Sequence, residues 1–105
     1  MYRLNLVPKT GTNTVTCSQN DTGLRMFQFQ MYKDREPWQI DADTVTMEVS
    51  NGASVTGTFT DNVAVFDCTA DMTAKAGKYF GKIKFEKDAN VLRSASFHFI
   101  VEREP

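Results

Sequence analysis

Short runs of alternating apolar and polar residues dominate the chain, which is the pattern of β-strands with one buried face. In TVTMEVS, residues 44–50, Val45, Met47 and Val49 alternate with threonine, glutamate and serine. The run 62–70 is apolar at successive positions, as expected for a strand covered on both faces. Together these patterns predict strands in the seven runs 2–8, 14–18, 23–33, 44–50, 62–70, 78–87 and 94–102.

The segments between the runs are short and rich in glycine, asparagine, aspartate and proline, which favour turns. Residues 71–76 are predicted to form at most one short helical turn, with Asp71 as its N-cap and Gly77 just past its end. Seven or eight short strands in a chain of 105 residues predict an all-β fold, an immunoglobulin-like antiparallel β-sandwich. A small closed barrel is the alternative.

The stretch AKAGKYFGKIKF, residues 74–85, places a glycine two residues before a tyrosine at the start of a strand. Sandwiches often carry a tyrosine where the chain crosses between sheets, with its hydroxyl bonded to the backbone a few residues upstream. Gly77 and Tyr79 are therefore predicted to form such a corner. The alternative is that Tyr79 is an ordinary inward-facing aromatic and that Gly77 only ends a helix.

Composition and charge narrow the classes of partner. Hydrophobic residues make up 41% of the chain and charged residues 24%, and the net charge is −1. These values are typical of a globular domain, and they disfavour nucleic acid and anionic membranes as partners. The start MYRLNLVPKT lacks the apolar centre of a signal peptide, so we expect synthesis in a cytoplasm. We expect one domain over residues 1–102, with 103–105 beginning a linker or tail.

Residues with reactive side chains are few and scattered. His98 alternates with inward-facing phenylalanines and is predicted to point outward. Cys17 and Cys68 have no zinc or redox spacing, and they are either two buried free thiols or a disulfide. Asp41 and Asp43 lack the glycine and the distal glutamate of an EF-hand. The sequence therefore predicts no catalytic residue, no cofactor and no metal site.

Three aromatic residues are candidates for contact with a partner protein, because exposed aromatics often anchor interfaces. Trp38 follows a proline in a loop-like segment, Tyr32 lies at the end of its run, and Phe80 falls on the face opposite Tyr79. The alternatives are that Trp38 plugs one end of the sandwich and that a neighbouring loop covers Phe80.

A row of lysines follows Phe80 along the same run. Lys82, Lys84 and Lys87 are balanced by Glu86 and Asp88. We expect this row to face solvent and to protect a strand edge from pairing with another chain.

The landmarks between residues 15 and 102 follow one another in a specific order. They are Asp21, Leu24 to Phe29, Pro37, Ile40 to Val49, Asn51-Gly52, Ala76-Gly77-Lys78-Tyr79 and Ser96 to Val101. In this order and spacing, about four-fifths of the chain resembles the N-terminal domain of phage baseplate upper proteins. Each landmark alone is common among β-sandwiches.

The resemblance implies a non-enzymatic structural module in the tail baseplate of a phage or prophage that infects Gram-positive bacteria. Such a domain attaches a longer receptor-binding assembly to the baseplate hub. Its expected partners are other baseplate and tail proteins and further copies of itself, and its expected location is the virion. The alternative is a carbohydrate- or cell-wall-binding sandwich that uses Trp38 and Tyr32 as a stacking platform.

Overall fold

The computed structural model describes residues 2–5, 13–33, 36–37 and 41–103. This part of the chain contains eleven strands and one helical turn. Their bounds are β1 Tyr2–Asn5, β2 Thr14–Ser18, β3 Met26–Lys33, β4 Glu36–Pro37, β5 Thr44–Val49, β6 Ser54–Thr56, β7 Thr58–Thr60, β8 Val63–Asp67, α1 Ala70–Thr73, β9 Gly77–Lys87, β10 Asn90–Arg93 and β11 Phe97–Glu102.

The strands form two sheets. The five-stranded sheet has the order β1-β3-β8-β7, with β4 paired to β3. The six-stranded sheet has the order β2-β11-β9-β5-β6, with β10 paired to β9. Neighbours are antiparallel except at two places, where β1 runs parallel to β3 and β2 runs parallel to β11. The predicted β-sandwich is confirmed, and the closed barrel is excluded because the described strands divide between two separate sheets.

All seven runs predicted to be strands contain a strand. The four additional strands, β4, β6, β7 and β10, are two to four residues long. Segments this short contain too few residues for an alternating pattern to stand out from chance. They are held in place by pairing with longer strands, and this pairing depends on the tertiary structure.

The predicted helical turn is present, but the prediction of its first residue is wrong. Thr69, not Asp71, precedes the helix, and its backbone is extended with φ −115° and ψ 158°. The Thr69 side chain makes no capping hydrogen bond, and Asp71 lies within the first turn. An acidic residue in the first turn interacts favourably with the helix dipole, which explains why Asp71 resembled a cap in the sequence.

The tyrosine corner is confirmed. The Tyr79 hydroxyl donates a hydrogen bond of 3.0 Å to the carbonyl oxygen of Lys75. Gly77 begins β9 rather than ending the helix, and a Cβ at this position would lie 3.1 Å from the Tyr79 hydroxyl oxygen. Glycine therefore gives the tyrosine ring room to fold back over the bend.

The inward faces of the two sheets meet in one apolar core rich in phenylalanine. Phe29 of β3 and Phe97 of β11 pack across the sheets with ring centroids 5.0 Å apart. Phe27 and Phe99 form an edge-to-face pair at 5.6 Å. Each fully buried side chain of this size contributes roughly 1.5–3 kcal/mol to stability. Residues with essentially no exposed surface include Val15, Phe29, Met31, Met47, Ala64, Met72, Ile83, Phe97 and Phe99.

Candidate protein-contact surface

The three candidate contact residues differ in position. Phe80 is on the outward side of β9, with 53% of its surface exposed. Tyr32 is half-buried in β3, on the face opposite Phe29 and Met31, and is in register with Pro37 of β4. Trp38 lies outside the described residues, and so does its half of the proposed carbohydrate-stacking platform. Phe80 is therefore the candidate that the described part of the chain presents to solvent.

Backbone hydrogen bonds fix the position of Phe80 although its ring is exposed. The Phe80 amide donates to Oγ of Ser50 at 3.0 Å, and the Ser50 amide donates to the Phe80 carbonyl at 2.8 Å. β9 lies between β11 and β5 in the six-stranded sheet. An anchor held in a sheet in this way loses little backbone entropy when it binds a partner.

His98 packs beside Phe80 on the same outer face. The two residues are in register on β11 and β9, and their ring centroids lie 5.2 Å apart with planes inclined by 42°. His98 is half-buried and points outward, as predicted, while Phe97 and Phe99 point into the core. The His98 imidazole therefore packs against one side of the exposed Phe80 ring.

A depression of about 310 Å³ lies beside Phe80. Val49 and Ser96 contribute to its wall, as do the charged residues Glu48, Lys82 and Arg93. Two of these charges are paired, because Nε of Arg93 lies 3.0 Å from Oε1 of Glu48. The depression is thus an apolar recess with charged groups around it.

Two lysines flank Phe80 on the same strand and face. Lys78 and Lys82 are both exposed, and neither has a carboxylate within 4.0 Å among the residues that the structure describes. Lys84, by contrast, lies 3.2 Å from Glu86, and Lys87 lies 2.8 Å from Asp41. The cations nearest Phe80 are therefore the ones left unpaired.

The predicted edge protection by the lysine row is wrong. β9, which carries these lysines, is paired on both sides and is an interior strand. Its lysines lie on the face of the sheet rather than along an edge, because β10 and β11 cover one side of β9 while β5 covers the other. The alternation of the sequence correctly placed the lysines outward, but it could not show that the strand was central.

The cysteines are two buried free thiols. Cys17 faces the core while His98 faces outward, and both belong to the six-stranded sheet. Burial raises the pKa of Cys17 to about 11 and also raises the pKa of Cys68, so both thiols stay protonated near neutral pH. Within the described residues, no group of three histidine, cysteine or acidic side chains is placed to hold a metal ion.

Asp21, one of the landmarks of the resemblance, stabilises a turn. Its carboxylate accepts hydrogen bonds from the Ser18 amide at 2.9 Å and from Nε of Arg25 at 2.6 Å. The bond from Ser18, followed by that from Arg25, lowers the pKa of this carboxyl group. Its backbone carbonyl accepts a further bond from the Thr73 hydroxyl at 2.7 Å. Asp21 thus ties the turn after β2 to the helical turn.

No protein-family model matches the chain, and no curated protein matches it. The described part of the chain contains no helix that is long and apolar enough to cross a membrane. The resemblance to phage baseplate upper proteins, which is based on the order of landmarks in the sequence, therefore stays a prediction.

Proposed function

We propose that the chain is a non-enzymatic structural module of a phage or prophage tail baseplate. In this role it attaches a longer receptor-binding assembly to the baseplate hub through protein–protein contacts. It works in the virion, beside other tail proteins and further copies of itself, and needs neither a cofactor nor nucleic acid or membrane as a partner. The order of landmarks from residue 15 to residue 102 is the basis for choosing this class.

The observation that supports this role most directly is the exposed ring of Phe80 on an interior strand. Aromatic residues carry a large share of the binding energy at protein interfaces, especially where they lie near the centre of the contact. A stable contact of standard size buries roughly 1,600 Å² in total. Repeated copies in an assembled particle add avidity to the affinity of each contact.

The test is binding to purified baseplate hub proteins from phages of Gram-positive bacteria, measured by biolayer interferometry. We expect Phe80→Ala to weaken binding by about tenfold or more, as expected for an anchor worth more than about 1 kcal/mol. The thermal midpoint should change little, because the Phe80 ring is not part of the core.

Met26→Ala is the matched control. Met26 is also 53% exposed, but it lies on β3 of the other sheet. We expect Met26→Ala to bind the hub as tightly as the unchanged protein. Absence of binding to any hub protein would count against the proposed function, and so would a Phe80→Ala variant that binds with undiminished affinity.

A further inference from the structure

The outer face of β9 presents an apolar group between two cations at regular spacing. Lys78, Phe80 and Lys82 alternate along one strand, so their side chains point the same way. Positions two residues apart on a strand are about 6.8 Å apart, so the two ammonium groups lie on opposite sides of the ring along the strand. We call these three residues the β9 triad.

The charge around the β9 triad differs in sign from that of the whole chain. The chain carries a net charge of −1. Beside the triad, Glu48 is in register with Lys82, but its carboxylate is engaged by Arg93 at 3.0 Å. Lys78 is in register with Ile100, which carries no charge. With the exposed Glu102, which lies two residues beyond Ile100 on the same face of β11, three cations stand against two carboxylates, which leaves a local excess of positive charge.

We infer that the β9 triad receives an acidic polypeptide segment in which carboxylates flank an apolar side chain. The apolar side chain enters the recess between Phe80, Val49 and Ser96, and the carboxylates reach Lys78 and Lys82. This inference rests on the proposed function in taking the partner to be a protein, and it adds the chemistry of that partner. Charge complementarity of this kind mainly selects the partner and speeds its association.

A single-stranded nucleic acid would also use aromatic and basic groups, but the surface fits it less well. Nucleic-acid grooves track the phosphate backbone with a continuous positive surface. Here the positive charge is confined to the triad, because Glu48 and Glu86 lie on the same face and are paired with Arg93 and Lys84. The favoured partner is therefore an acidic polypeptide, and a nucleic acid is an outcome that the test can reveal.

The test is a titration of the ¹⁵N-labelled protein, followed by amide chemical shifts. The probes are a short acidic peptide with a central phenylalanine, the same peptide with a central alanine, a basic peptide with a central phenylalanine, and oligothymidine. We expect the acidic phenylalanine peptide to shift the amides of Ser50, Lys78, Phe80, Lys82 and His98. The shifts should shrink in about 1 M salt, where the Debye length is about 3 Å.

Variants with equal loss of charge separate a specific site from general attraction. Lys78→Gln combined with Lys82→Gln removes two unpaired cations, and we expect the dissociation constant to rise about two- to fivefold for each lysine. Lys84→Gln combined with Lys87→Gln removes two cations from the same strand that are already paired. This control should change the dissociation constant by less than about twofold.

Several results would overturn the inference. They are an absence of shifts at these amides, an equal effect of the two double variants, equal binding of the acidic and basic peptides, and tighter binding of oligothymidine. Hub binding without peptide binding would refute the acidic-partner inference and leave the proposed function standing. Peptide binding at the triad without hub binding would count against the proposed function and leave the acidic-partner inference standing.

Discussion

The ring of Phe97 lies directly over Gly81, its partner in register on the neighbouring strand. A Cβ at position 81 would lie 2.5 Å from both Cε2 and Cζ of that ring. Phe97 is fully buried and packs against Phe29 of the opposite sheet, so its ring has no free space to move into. The glycine is therefore required by packing between β9 and β11.

Substitution of this glycine tests the packing. We expect Gly81→Ala to lower the free energy of unfolding by about 1–3 kcal/mol, because overpacking forces the ring off its rotamer or shifts the strand. Gly23→Ala is the control, since a Cβ at position 23 would meet no atom within 4 Å. Urea denaturation gives both values. Equal stability of the two variants would show that the core yields to the extra methyl group.

Removing the hydroxyl of the tyrosine corner tests how much that bond contributes. The bond from Tyr79 to the Lys75 carbonyl is exposed to solvent. We therefore expect Tyr79→Phe to cost about 0.5–1 kcal/mol, at the lower end for a hydrogen bond, because water can replace the hydroxyl. Tyr2→Phe is the control, because the Tyr2 hydroxyl has no hydrogen-bond partner among the described residues. A shift of the urea midpoint with unchanged slope checks the prediction, and a Tyr79→Phe variant as stable as Tyr2→Phe contradicts it.

Asn62 in the turn between β7 and β8 combines backbone conformation with a buried hydrogen bond. Its Nδ2 donates to the Met31 carbonyl at 2.7 Å, and its φ is +65°. Asp61 beside it also has a positive φ, of +52°, but is exposed. Asp61→Ala should cost less than about 1 kcal/mol, because aspartate also carries a Cβ and differs from alanine only in tolerating the left-handed backbone better. Asn62→Ala should cost about 1–2 kcal/mol more, because it also removes a buried bond.

Thermal and urea denaturation of the two alanine variants measure this difference. A third variant, Asn62→Gly, keeps the positive φ without strain but loses the side-chain bond. It should be more stable than Asn62→Ala and less stable than the unchanged protein. If Asn62→Ala and Asp61→Ala prove equally stable, the bond to Met31 contributes nothing.

The buried thiol of Cys17 predicts a loss of stability at high pH. Burial is the largest cause of its raised pKa of about 11, followed by the nearby Cys68 and Asp21, while the ordinary value is 9.0. Between pH 9 and 11 the unfolded chain releases this proton while the native chain retains it. The free energy of unfolding should therefore be fully retained below pH 9 and fall as the pH rises towards 11.

Comparison with Cys17→Ala isolates this contribution from the titration of lysines and tyrosines. A thiol that titrates only in the unfolded state adds at most about 1.4 kcal/mol per pH unit to the slope. The variant should be less stable at pH 7, because it loses a buried sulfur, but its stability should fall less steeply between pH 9 and 11. The free energy of unfolding of the variant should still fall somewhat with pH, because the pKa of Cys68 is also raised by burial. Parallel pH profiles for the two proteins would contradict this account.

The long strands could be predicted because their signal is local. In β5, Val45, Met47 and Val49 are buried, as their alternation with polar residues indicated. The same alternation in β9 predicted that Phe80 points outward. Whether a neighbouring loop covers the Phe80 ring could be decided only from the structure, in which the ring is exposed. The short strands and the helix start could not be placed, because each depends on contacts with distant residues.

By itself, the sequence determined which side of each long strand faces the core, because alternation depends only on the two-residue period of the backbone. It also determined the outward position of Phe80 and His98, but not that their rings lie 5.2 Å apart. Only the tertiary structure decided that β9 is an interior strand and that Lys78 and Lys82, unlike Lys84, have no carboxylate within 4.0 Å among the described residues. The physical reason is that strand order and register are set by packing between segments far apart in the chain, which no local pattern encodes.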